Sequence, residues 1–421
     1  MKIAVIAVGS RGDVQPFIAL ALGLKKAGHE VTVGTNLVFR DLVSSYGLDF
    51  TRVRPDSPKD FLEGRVGRLF ASGSPVLSFL AGYWFFKAFG PMLGDILDDC
   101  LDACRGRDMV VNSLVSPGYQ AALLLDMPCV MAGLWPASHT RDYPHPIVTF
   151  SFGGWFNRMT YTVTEGLMWT IFKRYTDKWT KKHGSRRLSL KKGVFSDIRK
   201  KGYPWIFGFS NEVLPKPSDW ADNLHVTGYW YLGEPDGWEP PLELEEFIKS
   251  GSPPVYMGFG SMVCLEKEKL VEAFVEALEI TGRRGVLFSG WSGLGEKPLP
   301  DNIYRTGPVP HIWLFPKMAA VIHHGGSQTT AASMQAGIPQ LIIPFLADQF
   351  SWGRYVQKTR IGPEPIPKSR LNGRNLAEAV RTMLTDEEMR RNTKEMAERL
   401  SLENGVKKAV SIIEQFASVI T

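Results

Sequence analysis

The 421-residue sequence predicts an α/β protein made of two doubly wound parallel-sheet domains. Two series of short apolar strands, each running into a glycine turn and then a helix, carry this expectation. One opens at KIAVIAV (residues 2–8) and the other at PPVYMGFGSM (253–262). Between them lies LPKPSDWADNLHVTGYWYLGEPDGWEPPLE (214–243), dense in Pro, Gly and Trp, which reads as an interdomain linker. The expected boundaries are a first domain over 1–232, a linker over 233–253 and a second domain over 254–404, with a last helix over 405–421 packing back onto the first domain.

In the first half, GSRGD (9–13) follows the opening strand, and Pro16 and Gly28 bracket a helix. EVTVGT and DFTRV then supply the second and third strands. The loop is neither a dinucleotide fingerprint, which needs G-x-G-x-x-G, nor a P-loop, since no Gly-Lys-Ser/Thr follows. By itself Asp13 reads as a cap for the helix before Pro16. VVNSL and PCVMAGLWP read as strands four and five, followed by the polar loop ASHTRDYPHP with His139 and His145, and WIFGFS as a further strand. Two aromatic segments, Leu77 to Phe89 and Phe150 to Phe172, fit domain core, a greasy cleft or a membrane-facing surface.

In the second half, a strand over 255–259 runs into Gly260 and Ser261, a helix covers 267–281, and a strand over 285–289 ends at Gly290 and Trp291. The densest stretch is AAVIHHGGSQTTAASMQAGIPQLIIPFLADQ (319–349): strand, glycine turn, small-residue helix, strand, loop. Such a turn aims free backbone N–H groups and the positive end of a helix at one spot, which suits phosphate. Asp348 and Gln349 end the next strand on the same carboxyl-end face. The C-terminal helix presents Val406, Val410, Ile413, Phe416 and Ile420 on one stripe.

Composition narrows the class. Charged residues are 22% and apolar residues 44%, as in a globular protein with ample core. Cys100, Cys104, Cys129 and Cys264 have no metal or redox spacing, which fits a reducing compartment. The N-terminal apolar run is too short for a signal peptide, and the most apolar window, 76–86, is too short to span a bilayer. The expected setting is therefore cytoplasmic, with peripheral membrane contact as a further candidate. The net charge of +6 is uneven: residues 173–201 hold twelve Lys/Arg against Asp177 and Asp197, a local balance of +10, so the rest sums to −4. That stretch suits anionic lipid or a solvated face. No nucleic-acid motif accompanies it, and no nucleic-acid partner is expected.

The run from His323 to Gln349 resembles the donor-binding signature of the two-domain GT-B nucleotide-sugar glycosyltransferases. HHGGSQTTAASMQAGIP and PFLADQFSWG are closest to the sterol glucosyltransferase and macrolide/glycopeptide antibiotic branch, as are GSRGDVQP and VPHIWLF. The resemblance implies a GT-B fold and inverting transfer of a hexose, with UDP-glucose the leading donor. The acceptor would be a hydroxyl of a sterol, lipid or polycyclic natural product in an interdomain cleft. It casts Asp13 as the general base, flanked on the acceptor side by Arg11, Gly12, Trp135 and His139. Donor contacts fall to Ser261, Trp291, Val309, His311, His324, Gly326, Ser327, Gln328, Thr329, Asp348 and Gln349. No cofactor beyond the UDP-sugar co-substrate is expected, and without an Asp-x-Asp no required metal. Three positions depart from the plant-type pattern: Pro308 replaces a base-stacking Trp, Ala332 a ribose-binding Glu, and Gln328 a Gly or Asn. The rival functions are a nucleotide-sugar epimerase of the same fold and a non-catalytic nucleotide-sugar or lipid-binding protein.

Overall fold

A computed structural model describes residues 1–57, 87–146, 148, 150–183, 190, 193–262, 266–291, 293–345 and 347–420. The aromatic residues expected at 77–86, Cys264 and the basic residues at 186, 187, 191 and 192 lie outside the described residues. The described chain forms two compact units. One takes its residues from 1–60, 82–232 and 403–421, and the other from 233–402.

The first unit is built on a parallel sheet with strand order β3-β2-β1-β4-β5-β6-β7. The strands are β1 (Lys2–Ile6), β2 (Glu30–Thr35), β3 (Asp49–Arg52), β4 (Met109–Ser113), β5 (Cys129–Gly133), β6 (Trp205–Phe207) and β7 (Leu224–Val226). Ile3, Val5, Val110 and Val130 are wholly buried on strands covered on both faces, which is why these segments read as unbroken apolar runs. Strand order reverses between β1 and β4, so the loop after β1 opens where doubly wound sheets hold ligands.

Three local outcomes differ from the sequence reading. The first helix spans Arg11–Lys26, so Pro16 lies inside it rather than starting it. Ser10 is the N-cap and Asp13 the third helical residue, a capping pair that nucleates the helix ahead of the proline. The stretch read as linker contributes β7 to the first sheet and the helix Leu242–Lys249 to the second unit. Its Pro and Gly content hid both, because only pairing with β6 and burial of Leu244 select those conformations. The C-terminal helix Gly405–Ile420 buries Gly405, Ala409, Val410, Ile413 and Ala417, while Ile420 is exposed. It packs against Arg11–Lys26 so closely that a Cβ on Gly23 would lie 2.4 Å from Val406 Cγ1. His29 Nε2 sits 3.5 Å from a Glu414 carboxylate oxygen.

The second unit has a parallel sheet of order β10-β9-β8-β11-β12. Its strands are β8 (Val255–Gly258), β9 (Gly285–Phe288), β10 (Ile303–Thr306), β11 (Ala320–His323) and β12 (Gln340–Ile342). Alternation along each strand divides the core into two layers. Met257 and Ile322 face one cluster with Phe274 and Val380, while Tyr256 and Val321 face another with Leu244, Leu314 and Phe315. The helices Lys267–Thr281 and Gly373–Thr385 supply Phe274 and Val380 to the first layer.

Cys100, Cys104 and Cys129 are buried and free, and burial pushes the Cys104 thiol up to about 12. Among the described residues no helix is long and apolar enough to cross a membrane.

Candidate active site

In the second unit, the loops after β8, β9 and β11 emerge from three adjacent strands and converge at their carboxyl ends. The Trp291 N–H donates to the Gly260 carbonyl at 3.1 Å, joining the first two loops. The third loop starts from His323, which is buried and neutral. Its Nδ1 accepts the Gly325 N–H at 3.0 Å, so Nε2 carries the proton and donates to Gln340 Oε1 at 2.8 Å. Burial holds this imidazole down to about 4. His323 is thus the pin that shapes the turn.

His324 points the other way along the strand and lies beside Gly326: a Cβ there would be 2.6 Å from His324 Nε2, so a larger residue would displace the imidazole. Burial, then the neighbouring His323 and His311, hold His324 down to about 3, so it is a neutral hydrogen-bonding group. Its Nδ1 and the Gln328 Nε2 are buried with no hydrogen-bond partner among the described residues. Gly326 caps the helix Ser327–Gln335 without any side-chain cap, and the first-turn N–H groups of Ser327, Gln328 and Thr329 have no partner within the helix. Buried unpaired polar groups beside an uncapped helix N-terminus suit an anionic oxygen ligand such as a diphosphate.

The remaining donor candidates flank this turn unevenly. Ser261 and Trp291 are half-buried on the converging loops. Val309 is buried, and His311 opens a short helix, its ring stacked on Phe315 with centroids 4.3 Å apart. Asp348 and Gln349 do not end the strand; they occupy the first turn of the helix Ala347–Lys358. Gln349 is buried with its Oε1 accepting the Phe345 N–H at 2.7 Å, so its carboxamide braces the turn. Asp348 is half-buried. Pro308 is exposed, and Ala332 lies against the apolar layer of Tyr256.

In the first unit, Asp13 sits just after β1, at the strand-order reversal. Its Oδ2 accepts both the N–H and the hydroxyl of Ser10 at 2.8 Å, while Oδ1 has no hydrogen-bond donor among the described residues. Burial raises the carboxyl above its usual range, and the Ser10 bonds only partly oppose this. Gly9, at φ +149°, is required here, since a Cβ would lie 2.6 Å from Asp13 Oδ2. The loop is held from both sides: Gly9 N–H donates to Asn36 Oδ1 at 2.9 Å, and Val8 N–H to Ser116 Oγ at 2.9 Å. Arg11 is half-buried with Nε donating to Gln15 Oε1 at 3.3 Å, and Gly12 is exposed.

Trp135 and His139 lie on the loop after β5, at the same carboxyl end of the same sheet. His139 Nε2 is 3.1 Å from Glu165, which also takes two hydrogen bonds from Arg199 at 2.8 Å each. Burial would raise the Glu165 carboxyl, but these partners overcome it and hold the group below its usual range. His145 is instead kept down at about 4 by burial. Sequence reasoning missed Glu165, Arg199, Asn36 and Ser116, whose distance along the chain from Asp13 and His139 leaves no spacing signal.

Two family models match the chain: the glycosyltransferase family 28 N-terminal domain over residues 3–81 and the erythromycin biosynthesis protein CIII-like C-terminal domain over 290–413. The chain is 35% identical over 428 residues to a sterol 3-beta-glucosyltransferase of Debaryomyces hansenii, covering 97% of this chain but 26% of that protein. A sterol 3-beta-glucosyltransferase of Arabidopsis thaliana is 34% identical over 431 residues, 97% of this chain and 67% of that protein. The chain therefore spans about a quarter of the fungal relative and two thirds of the plant one. Among solved structures, the glycosyltransferase of kitacinnamycin aligns with a TM-score of 0.70 at 17% identity, covering 98% of each chain. The spinosyn rhamnosyltransferase SpnG complexed with thymidine diphosphate aligns at 0.65 and 17%, covering 98% of this chain and 100% of that one. These structural likenesses agree with two doubly wound sheets of the GT-B kind, and the sequence identity to the sterol glucosyltransferases carries the closer kinship. The chain belongs to the sterol glucosyltransferase branch of the GT-B nucleotide-sugar glycosyltransferases.

Proposed function

We propose that this chain is an inverting hexosyltransferase that moves the sugar of a UDP-sugar, UDP-glucose first among them, to the hydroxyl of a sterol-like acceptor. The observation that carries this reading is the divided state of Asp13. One carboxylate oxygen builds the helix cap and the other is available to a substrate proton, in a group whose burial strengthens it as a base. The names of the relatives support the sterol and the glucose. The thymidine diphosphate bound by SpnG supports a nucleoside diphosphate leaving group.

In this reaction the acceptor O–H gives its proton to Asp13 Oδ1, and the oxygen forms a bond to the anomeric carbon from the face opposite the phosphate. The bond from that carbon to the diphosphate breaks, and its electron pair leaves with the diphosphate. The N–H groups at Ser327–Thr329 and neutral His324 receive that charge, with Ser261 as a further hydroxyl donor. Asp348 is the sugar-hydroxyl acceptor, with Gln349 bracing the turn that carries it. Arg11, Gly12, Trp135 and His139 border the acceptor side. No step calls on a metal. The setting is cytoplasmic, at membranes that hold the acceptor.

The test is incubation of the purified chain with UDP-glucose, related nucleotide sugars and a panel of sterols and polar sugars, read by mass spectrometry. A hexosylated sterol is expected. Conversion of the sugar nucleotide without acceptor would favour the epimerase, and tight nucleotide-sugar binding without any product would favour the binding protein. Transfer confined to small polar sugars would overturn the acceptor class.

A further inference from the structure

The long helix Gly154–Lys182 of the first unit shows an outer face that its own core does not use. At its N-terminal end Phe152 and Trp155 are 78% and 77% exposed, and Phe150 is 55% exposed. Phe150, Phe152 and Phe156 form a ring cluster with centroids 5.0–5.5 Å apart. Single exposed apolar side chains are ordinary, but a contiguous aromatic cluster of this kind marks a contact surface.

Polar bonds hold the cluster outward. Ser151 Oγ donates to Asn157 Oδ1 at 2.6 Å, and the Gly153 N–H donates to the same Ser151 hydroxyl at 3.2 Å. Asn157 is itself buried and donates through Nδ2 to the Arg141 carbonyl at 2.8 Å. The short segment bearing Phe150 and Phe152 is thereby fastened at its polar residue, with its rings presented to solvent.

Farther along the helix the exposed positions are Thr162, Val163, Gly166 and Thr170, and then Lys173, Arg174, Lys178, Lys181 and Lys182, the last paired with Asp98. The two carboxylates of the helix are both paired, Glu165 with Arg199 and Asp177 with Lys173. Apart from Arg158, the exposed face therefore runs from aromatic through uncharged to basic over roughly 40 Å, at 1.5 Å per helical residue. Aromatic rings favour the bilayer interface, and clustered lysines favour anionic head groups.

The geometry points to a membrane-docking face made of Phe150, Phe152, Trp155 and Phe156 with the basic end at Arg174, Lys178 and Lys181, whose partner is an anionic lipid bilayer. It does not rest on the transfer reaction, since docking is read without donor or turnover. It narrows the expected membrane contact from the whole basic stretch to one helix face led by aromatic residues.

The experiment is flotation of the full chain with vesicles of phosphatidylcholine, with or without phosphatidylserine, alongside gel filtration without lipid. The wild type is expected to float with serine-lipid vesicles. Phe152→Ser with Trp155→Ser should lower that partition about tenfold or more, with an unchanged melting curve because both side chains are exposed. Lys178→Glu with Lys181→Glu should lower it about tenfold on anionic vesicles and leave neutral ones unaffected. Failure of the wild type to float, or wild-type flotation by the folded aromatic variant, would overturn the proposal. So would a lipid-free dimer abolished by Trp155→Ser, which would assign the cluster to a second copy of the chain.

Discussion

Ser10 gives both its N–H and its hydroxyl to one oxygen of Asp13, each at 2.8 Å, and the other oxygen has no donor among the described residues. One side chain thus serves the helix start and retains a site for substrate. Gly9 lies where a Cβ would strike that same capping oxygen, Oδ2, at 2.6 Å, so the glycine belongs to the cap and leaves Oδ1 to the substrate.

Asp13→Asn keeps an acceptor for the Ser10 bonds but removes the base. Transfer should fall about 10²–10⁴-fold. Because burial raises the Asp13 carboxyl, its charge opposes folding at neutral pH, so the variant should melt at the same temperature or higher. Turnover and a thermal melt on one preparation check both halves, and near-normal turnover would remove Asp13 from the chemistry.

The pH dependence of kcat/KM should have an acid limb that rises as pH climbs through the raised pKa of Asp13, since the ionised form is the active one. His324 should add no protonation step to donor binding between about pH 5 and 8, because it is already neutral and its pKa is held down to about 3. Calorimetric titration with UDP-glucose, whose diphosphate diester has no ionisation in that range, on the wild type and on His324→Gln reads this. A binding loss tracking an imidazole near 6.5 would contradict it.

Stability should fall as pH drops below about 6.5 toward 4. In that window unfolded histidines take up protons, while His323 and His145 stay neutral down to about 4 and His324 to about 3. The unfolded state therefore binds more protons, and the native state loses ground as the solution acidifies. Urea midpoints at stepped pH would show it, and a flat profile would refute the neutral assignments.

Gln340→Leu removes the Oε1 that accepts from His323 Nε2–H and leaves a buried donor unpaired. A loss of about 1–3 kcal/mol is expected, measured by denaturant unfolding, with weaker UDP binding because the turn at Gly325 loses its anchor. Unchanged stability would mean that the imidazole finds another partner.

Gly326→Ala should weaken UDP binding about tenfold or more while leaving the melting temperature nearly unchanged. The added methyl meets His324 Nε2 at 2.6 Å, at a backbone φ of −63° that alanine accepts readily. Titration with UDP checks it, and wild-type affinity would place the phosphates elsewhere.

Much of this site was legible along the chain because it is local. HHGGSQTT specifies strand, turn and helix within eight residues, and apolar runs such as VYMG and AVIH mark strands buried on both faces. The division of labour between His323 and His324 was not legible. Two adjacent imidazoles look alike in a string, and the alternation of the strand aims one at Gln340 and the other toward Gly326. Likewise β7 was hidden in Pro- and Gly-rich sequence, because a three-residue strand has too little pattern to stand without its neighbour β6.

The linear chain carries the two sheets, the glycine turns that close after their strands, and the residue types available for proton and phosphate chemistry, because periodicity and turn preference act over a few residues. The packed fold selects which carboxylate oxygen stays open, which histidine is a brace, and that His139 and Arg199 meet at Glu165. Those outcomes depend on burial and on partners many residues away, and neither is written in any local stretch of chain.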